Sequence, residues 1–238
     1  MVRRILTDRV ANGTYLCILI SSILLSGCVV FAPPPPMITG GGPRTIPKNH
    51  SETAIAVGTG VTLFSGAHAG GDAWLGRWRY GLSDQFDLGA DIMGARHASR
   101  GTVTLKIAGR YQASSTTRLE AAFGAADDSN GKSLHAELGF TLGRIKEDRF
   151  WNRYISFRVA GAKGYPGDVI FSDQTPDPED KIAPPDAFIS LINIGSTGRI
   201  SKNQHFFIEG GYGYIFPRAQ DSGPVIYWGV GLLFDIGK

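Results

Sequence analysis

The sequence has little cysteine, only one long apolar run, almost no net charge, and none of the short motifs that carry common chemistry. Cys17 and Cys28 are its only cysteines. Cys17 lies inside the apolar run, so no disulfide framework is available to the rest of the chain. That run, Tyr15–Leu25, is about half the roughly 20 residues a membrane-crossing helix needs. Nothing later in the chain matches it, which excludes helical spans but not a barrel, whose strands hide their hydrophobicity by alternation. The formal net charge is +3; residues 1–27 hold three arginines and one aspartate, and without them 21 basic residues stand against 20 acidic. So even a balance gives no footprint for nucleic acid. There is no P-loop, dinucleotide fingerprint, zinc-ligand spacing or nucleophile elbow, and no cofactor is expected.

At the N-terminus Arg3, Arg4 and Arg9 precede the apolar run, the order of a secretory signal. Leu25-Ser26-Gly27-Cys28 follows at once and resembles the lipobox of bacterial lipoproteins. The resemblance implies that residues 1–27 are a signal peptide and that Cys28 is acylated as the first mature residue. It also implies transfer to the outer membrane by the lipoprotein-sorting machinery, because Val29 stands where an inner-membrane retention aspartate would. Several acyl chains on one cysteine suffice for stable anchoring. Residues 28–52 include four consecutive prolines, Pro33–Pro36, and three consecutive glycines, Gly40–Gly42. They read as a tether, semi-rigid and then flexible. Residues 53–238 make one domain.

Within that domain the period is two, the side-chain period of a strand. The opening hairpin sets the pattern: Trp74, Trp78, Tyr80, Phe86, Leu88 and Ile92 share one face, and Arg77, Arg79, Asp87 and Asp91 the other. Ten segments of this kind are expected: 53–64, 73–80, 86–92, 102–111, 118–126, 133–144, 154–163, 187–199, 205–216 and 225–236. Most have the roughly 9–11 residues a tilted membrane strand requires. The segment 187–199 is apolar on both faces, and its orientation is open. Aromatic residues near strand ends (Trp74, Tyr80, Phe86, Tyr111, Trp151, Tyr154, Phe216, Trp228, Phe234) suit interfacial girdles. Many of the 32 glycines fall at inward positions, where a narrow barrel is short of room.

The fold expected is all-β: a single antiparallel transmembrane barrel of about ten strands, eight being the smaller alternative. An even count brings both termini to one side, the periplasm if Cys28 is lipidated. Connections after odd strands (65–72, 96–100, 127–132, 164–186, 217–223) are expected to face outward. Those after even strands (81–85, 112–117, 145–153, 200–204) are expected to be short. The stretch Tyr80–Ile92 resembles the tight periplasmic hairpin of small bacterial outer-membrane barrels of the porin-like or transporter-like type. The apolar last strand resembles their signal for the barrel-assembly machinery, although the chain ends Phe234-Asp-Ile-Gly-Lys and not in an aromatic residue.

The candidate site is the inward charge network: Arg77, Arg79, Asp87, Asp91, Lys106, Arg110, Glu120, Glu137, Arg158 and Glu209. If Tyr80 and Phe86 flank the turn, a belt Arg79–Asp87–Arg110–Glu120 is expected. It reads as an ionic plug in a narrow lumen, with an ion-selectivity filter as the rival. The spacing His97-Ala98-Ser99 resembles that of outer-membrane lipid A deacylases. His68, Asp72, His97, Asp127, Asp128 and Asp221 would fall at an outer rim, as the acids and histidine of omptin-type proteases do. Neither set is complete, and no catalytic residue is assigned. The loop acids Asp168, Asp173, Asp177, Glu179 and Asp180 lack calcium-loop spacing. The function expected is a structural or small-solute channel protein of the outer membrane. An enzyme of that membrane is one alternative, and a soluble, lipid-tethered β-sandwich or lipocalin-like binder is another. Partners expected are outer-membrane lipid and the sorting and assembly machineries; the sequence says nothing of oligomeric state.

Overall fold

The computed structural model describes residue 42 and residues 44–64, 67–97, 100–128, 131–144, 150–165, 186–217 and 223–237. The expected signal peptide (residues 1–27), Cys28 and most of the expected tether (residues 28–52) lie outside these residues.

Ten strands follow one another along the chain: β1 (Ser51–Phe64), β2 (Ala67–Ser83), β3 (Phe86–His97), β4 (Arg100–Ser114), β5 (Thr117–Asp128), β6 (Gly131–Gly143), β7 (Trp151–Tyr165), β8 (Ala187–Ser201), β9 (Gln204–Pro217) and β10 (Gly223–Ile236). Each pairs antiparallel with its sequence neighbours, and β1 pairs with β10 to close the barrel. Closure removes the two unpaired edges that an open sheet of this length would expose.

Alternation sorts the side chains as the sequence implies. Ile107 and Leu138 are each 62 % exposed on the outer wall and Ile194 is 66 % exposed, whereas Arg79 and Asp87 are fully buried inside. The orientation of β8, open in the sequence, is set by pairing: Ile189, Leu191 and Asn193 point inward, while Phe188, Ile192 and Ile194 point outward. One aromatic expected in a girdle turns inward. Tyr154 is buried, and its ring lies over Gly195, where any Cβ would collide with it.

Two expectations are corrected. First, the strands reach further than the alternation suggests, so the stretches between β1 and β2, β3 and β4, and β5 and β6 shrink to 65–66, 98–99 and 129–130. Length asymmetry between the two barrel ends then rests on 166–186. Second, the β2–β3 register runs two residues past the one expected: Arg77 is opposite Asp91, and Arg79 opposite Gly89. The turn lies at Asp84–Gln85, beyond a bulge at Gly81–Ser83. A two-residue slip preserves the faces, so the charges stay inside while their partners change.

Candidate functional site

The lumen has two unlike walls. β2 to β7 supply the charges, and Asp91 sits at their centre. Its carboxylate accepts from Arg77 Nε and Nη2, both at 2.9 Å, and from Arg79 Nη2 at 3.0 Å. Lys106 Nζ lies 3.5 Å from the same carboxylate and 3.1 Å from Glu137 Oε2. Arg158 then joins Glu137 at 3.4 Å to Glu120 at 2.9 Å, and Glu120 meets Arg118 at 3.5 Å. His135 Nε2 is 3.6 Å from Glu137. These contacts form one chain of alternating sign across the barrel.

The structure thus brings the ten candidate residues inside the barrel but splits the expected belt. Asp87 does not meet Arg79; it takes a forked bond from Arg110, at 2.7 and 2.9 Å. Glu120 lies opposite Arg110 in the register, yet its ion pairs go to Arg158 and Arg118. Glu209, on β9, accepts from Tyr154 Oη at 2.8 Å. Arg118, fully buried, is a member that sequence reading missed. It is the second residue of its strand, where a charge reads as solvated, and only its inward parity with Glu120 could have marked it.

β8, β9, β10 and β1 build the other wall. Ile189, Leu191, Phe207, Ile215, Val225, Tyr227 and Leu233 pack there with Ala54 and Ala56, joined by Leu75 and Met93. Tyr227 Oη donates to Asn193 Oδ1. Filled by these two halves, the middle of the barrel shields nearly all its described inward side chains from solvent.

The mouth next to the termini is occupied by residues 44–50, which the composition assigns to the tether. Ile46 N donates to Asp87 Oδ2 at 2.8 Å, and Thr45 N to Gln112 Oε1 at 2.9 Å. Lys48 bridges to Gly81, Asn49 N donates to Gly81 O at 2.9 Å, and Gly81 N donates to His50 O at 2.9 Å. Gly81 makes this possible: a Cβ there would lie 2.5 Å from Ile46 O and closer still to Pro47 O. Arg118 Nη1 donates to the Gly42 carbonyl, tying down the chain as it enters.

The catalytic alternatives gain no geometry. His68 and Asp72 fall within β2, His97 within β3, and Asp127 and Asp128 within β5, not in loops. Ser99, Asp221 and the acids of 166–185 lie outside the described residues. Among the described residues no group of three His, Cys, Asp or Glu side chains could hold a metal ion.

No protein-family profile and no characterised protein matches the sequence. Solved structures with a similar trace include bacterial outer-membrane barrels. An outer-membrane channel from Pseudomonas putida F1 aligns with 84 % of this chain and 100 % of its own at 10 % identity and a TM-score of 0.48. Neisserial surface protein A covers 77 % and 96 % at 10 % identity and 0.39. The outer-membrane protease OmpT of Escherichia coli covers 84 % and 100 % at 10 % identity and 0.37.

Proposed function

We propose that the chain is a lipid-anchored barrel of the bacterial outer membrane whose lumen is closed, a structural membrane protein and not an open channel. One observation carries the membrane reading: large apolar side chains cover the outside, and the charges are inside. Soluble domains seldom expose an apolar patch beyond a few hundred Å², and a soluble binder would place these two faces the other way round. The aromatic clusters suit interfacial girdles: Phe150, Trp151 and Phe206 near one end, and Phe188, Tyr214 and Phe216 near the other.

The structural reading is supported by the filling of the lumen. A permeating solute would have to break a continuous ion-pair chain or part an apolar core, and separating buried pairs costs on the order of 3–5 kcal/mol each. The anchor is Cys28, by its place after the apolar run. With that anchor, the end holding both termini faces the periplasm, and residues 166–186 face outward.

The Cys28→Ala variant tests anchor and insertion separately. It is expected to take up no labelled palmitate and still to remain in the membrane pellet after urea or carbonate extraction. Release into the supernatant would show that only the lipid holds the domain, and the soluble reading would replace this one.

A further inference from the structure

Between the folded-in segment and the β8–β9 end, the mouth beside the termini encloses a cavity of about 500 Å³. Five basic side chains line it, Arg44, Arg110, Arg118, Arg199 and Lys202, against two carboxylates, Glu52 and Asp235, an excess of three positive charges. Arg110 is engaged by Asp87, and Asp235 lies 3.4 Å from His205 Nε2.

Arg118 carries the argument. It is fully buried, and its Nη atoms reach Gly42 O, Glu120 and Thr141, yet its Nε has no hydrogen-bond partner among the described residues. Buried donors are nearly always met, and Arg118 is one of the residues that line the cavity. A guanidinium edge suits a planar or tetrahedral oxyanion, while Arg199 and Lys202, both exposed at the rim, add attraction at longer range.

We propose that this mouth is a binding site for a small solute bearing carboxylate or phosphate groups. The source of the solute, the periplasm, rests on the orientation proposed above; binding itself does not, so protease accessibility in whole cells and titration of the purified protein fail independently.

The test is calorimetric titration of the full chain in non-ionic detergent at low ionic strength, with citrate in one arm and pyrophosphate in the other. Saturable heat with a dissociation constant below about 1 mM is expected from at least one probe, weakening as salt is added. The arm that binds identifies the anion class. Charge reversal at the rim, Arg199→Glu with Lys202→Glu, is expected to weaken that binding about tenfold or more while leaving the melting temperature in place, because both side chains are exposed. Arg118→Lys, which keeps the charge and removes Nε, is expected to weaken it as well; if that variant does not fold, the rim variant decides. Absence of saturable heat from both probes, or wild-type affinity in the rim variant, overturns the proposal.

Discussion

Asp91 is the point where three cations converge, and its surroundings make it the most consequential acid in the lumen. Arg77, Arg79 and Lys106 all lie within 3.5 Å of its carboxylate, and the four side chains have no exposed surface. Removing the carboxylate leaves three buried positive charges, with Glu137 still reachable by Lys106. Asp91→Leu is therefore expected to lower unfolding stability by roughly 3–5 kcal/mol, read as an earlier denaturant midpoint in detergent or lipid. Replacing Arg77 and Asp91 together by apolar residues should recover part of the loss. A neutral Asp91→Leu would mean that water or ions reach the network, and the closed-lumen reading would fall. Gly81 answers a different question. Ala at this position drives a methyl into the Pro47 and Ile46 carbonyls, and backbone cannot give way as a flexible side chain can. Gly81→Ala should expel residues 44–50 from the mouth and leave the barrel closed elsewhere. The change should appear as faster amide exchange at Ile46 and Asn49, with β5 to β7 unchanged.

At the scale of elements, topology yields the sharpest expectation. Every connection but two spans five residues or fewer between strand ends, and 166–186 is by far the longest. It joins β7 to β8 at the end away from the termini, so protease added to whole cells should cut there first, because a long stretch between strands is the readiest site for nicking. Cutting first within 144–150 in intact cells would reverse the orientation. Much of this element plan was legible in the sequence. Alternation identified each strand and sorted nearly every charge to the right face, since a face is a property of parity alone. Pairing partners were harder, because register depends on where a turn closes. The bulge at Gly81–Ser83 and the turn at Asp84–Gln85 moved Arg79 from Asp87 to Asp91 without disturbing parity. β8 was opaque for a further reason: Ile189 and Leu191 face an apolar half-lumen while Ile192 and Ile194 face outward, so both faces are greasy and no alternation survives. Residues 44–50 were misread through composition. Proline and glycine nearby suggest a free tether, but the segment's backbone N–H groups are claimed by Asp87, Gln112 and Gly81, partners that only the closed barrel brings together.

For the whole molecule, the proposed closed lumen raises the question whether the mouth segment or the interior closes it. The interior interleaves both signs: Arg77, Arg79, Lys106, Arg110, Arg118 and Arg158 are buried together with Asp87, Asp91, Glu120, Glu137 and Glu209. Closely interleaved opposite charges of this kind differ from the single-sign rings of selective pores. The other half, around Phe207 and Leu191, is packed like a soluble core, where any opening creates an unfavourable cavity. Neither feature depends on residues 44–48, which cover only the end beside the termini. In planar bilayers, then, the wild-type protein should show no stepwise conductance, and a variant lacking residues 44–48 should stay silent too. Truncation of Phe207 and Leu191 to alanine, which thins the apolar wall, is the change expected to admit ions, at some loss of stability. If deleting 44–48 alone produced steady conductance steps, the segment would be a gate and the interior a permeable filter, and the channel reading would displace the structural one.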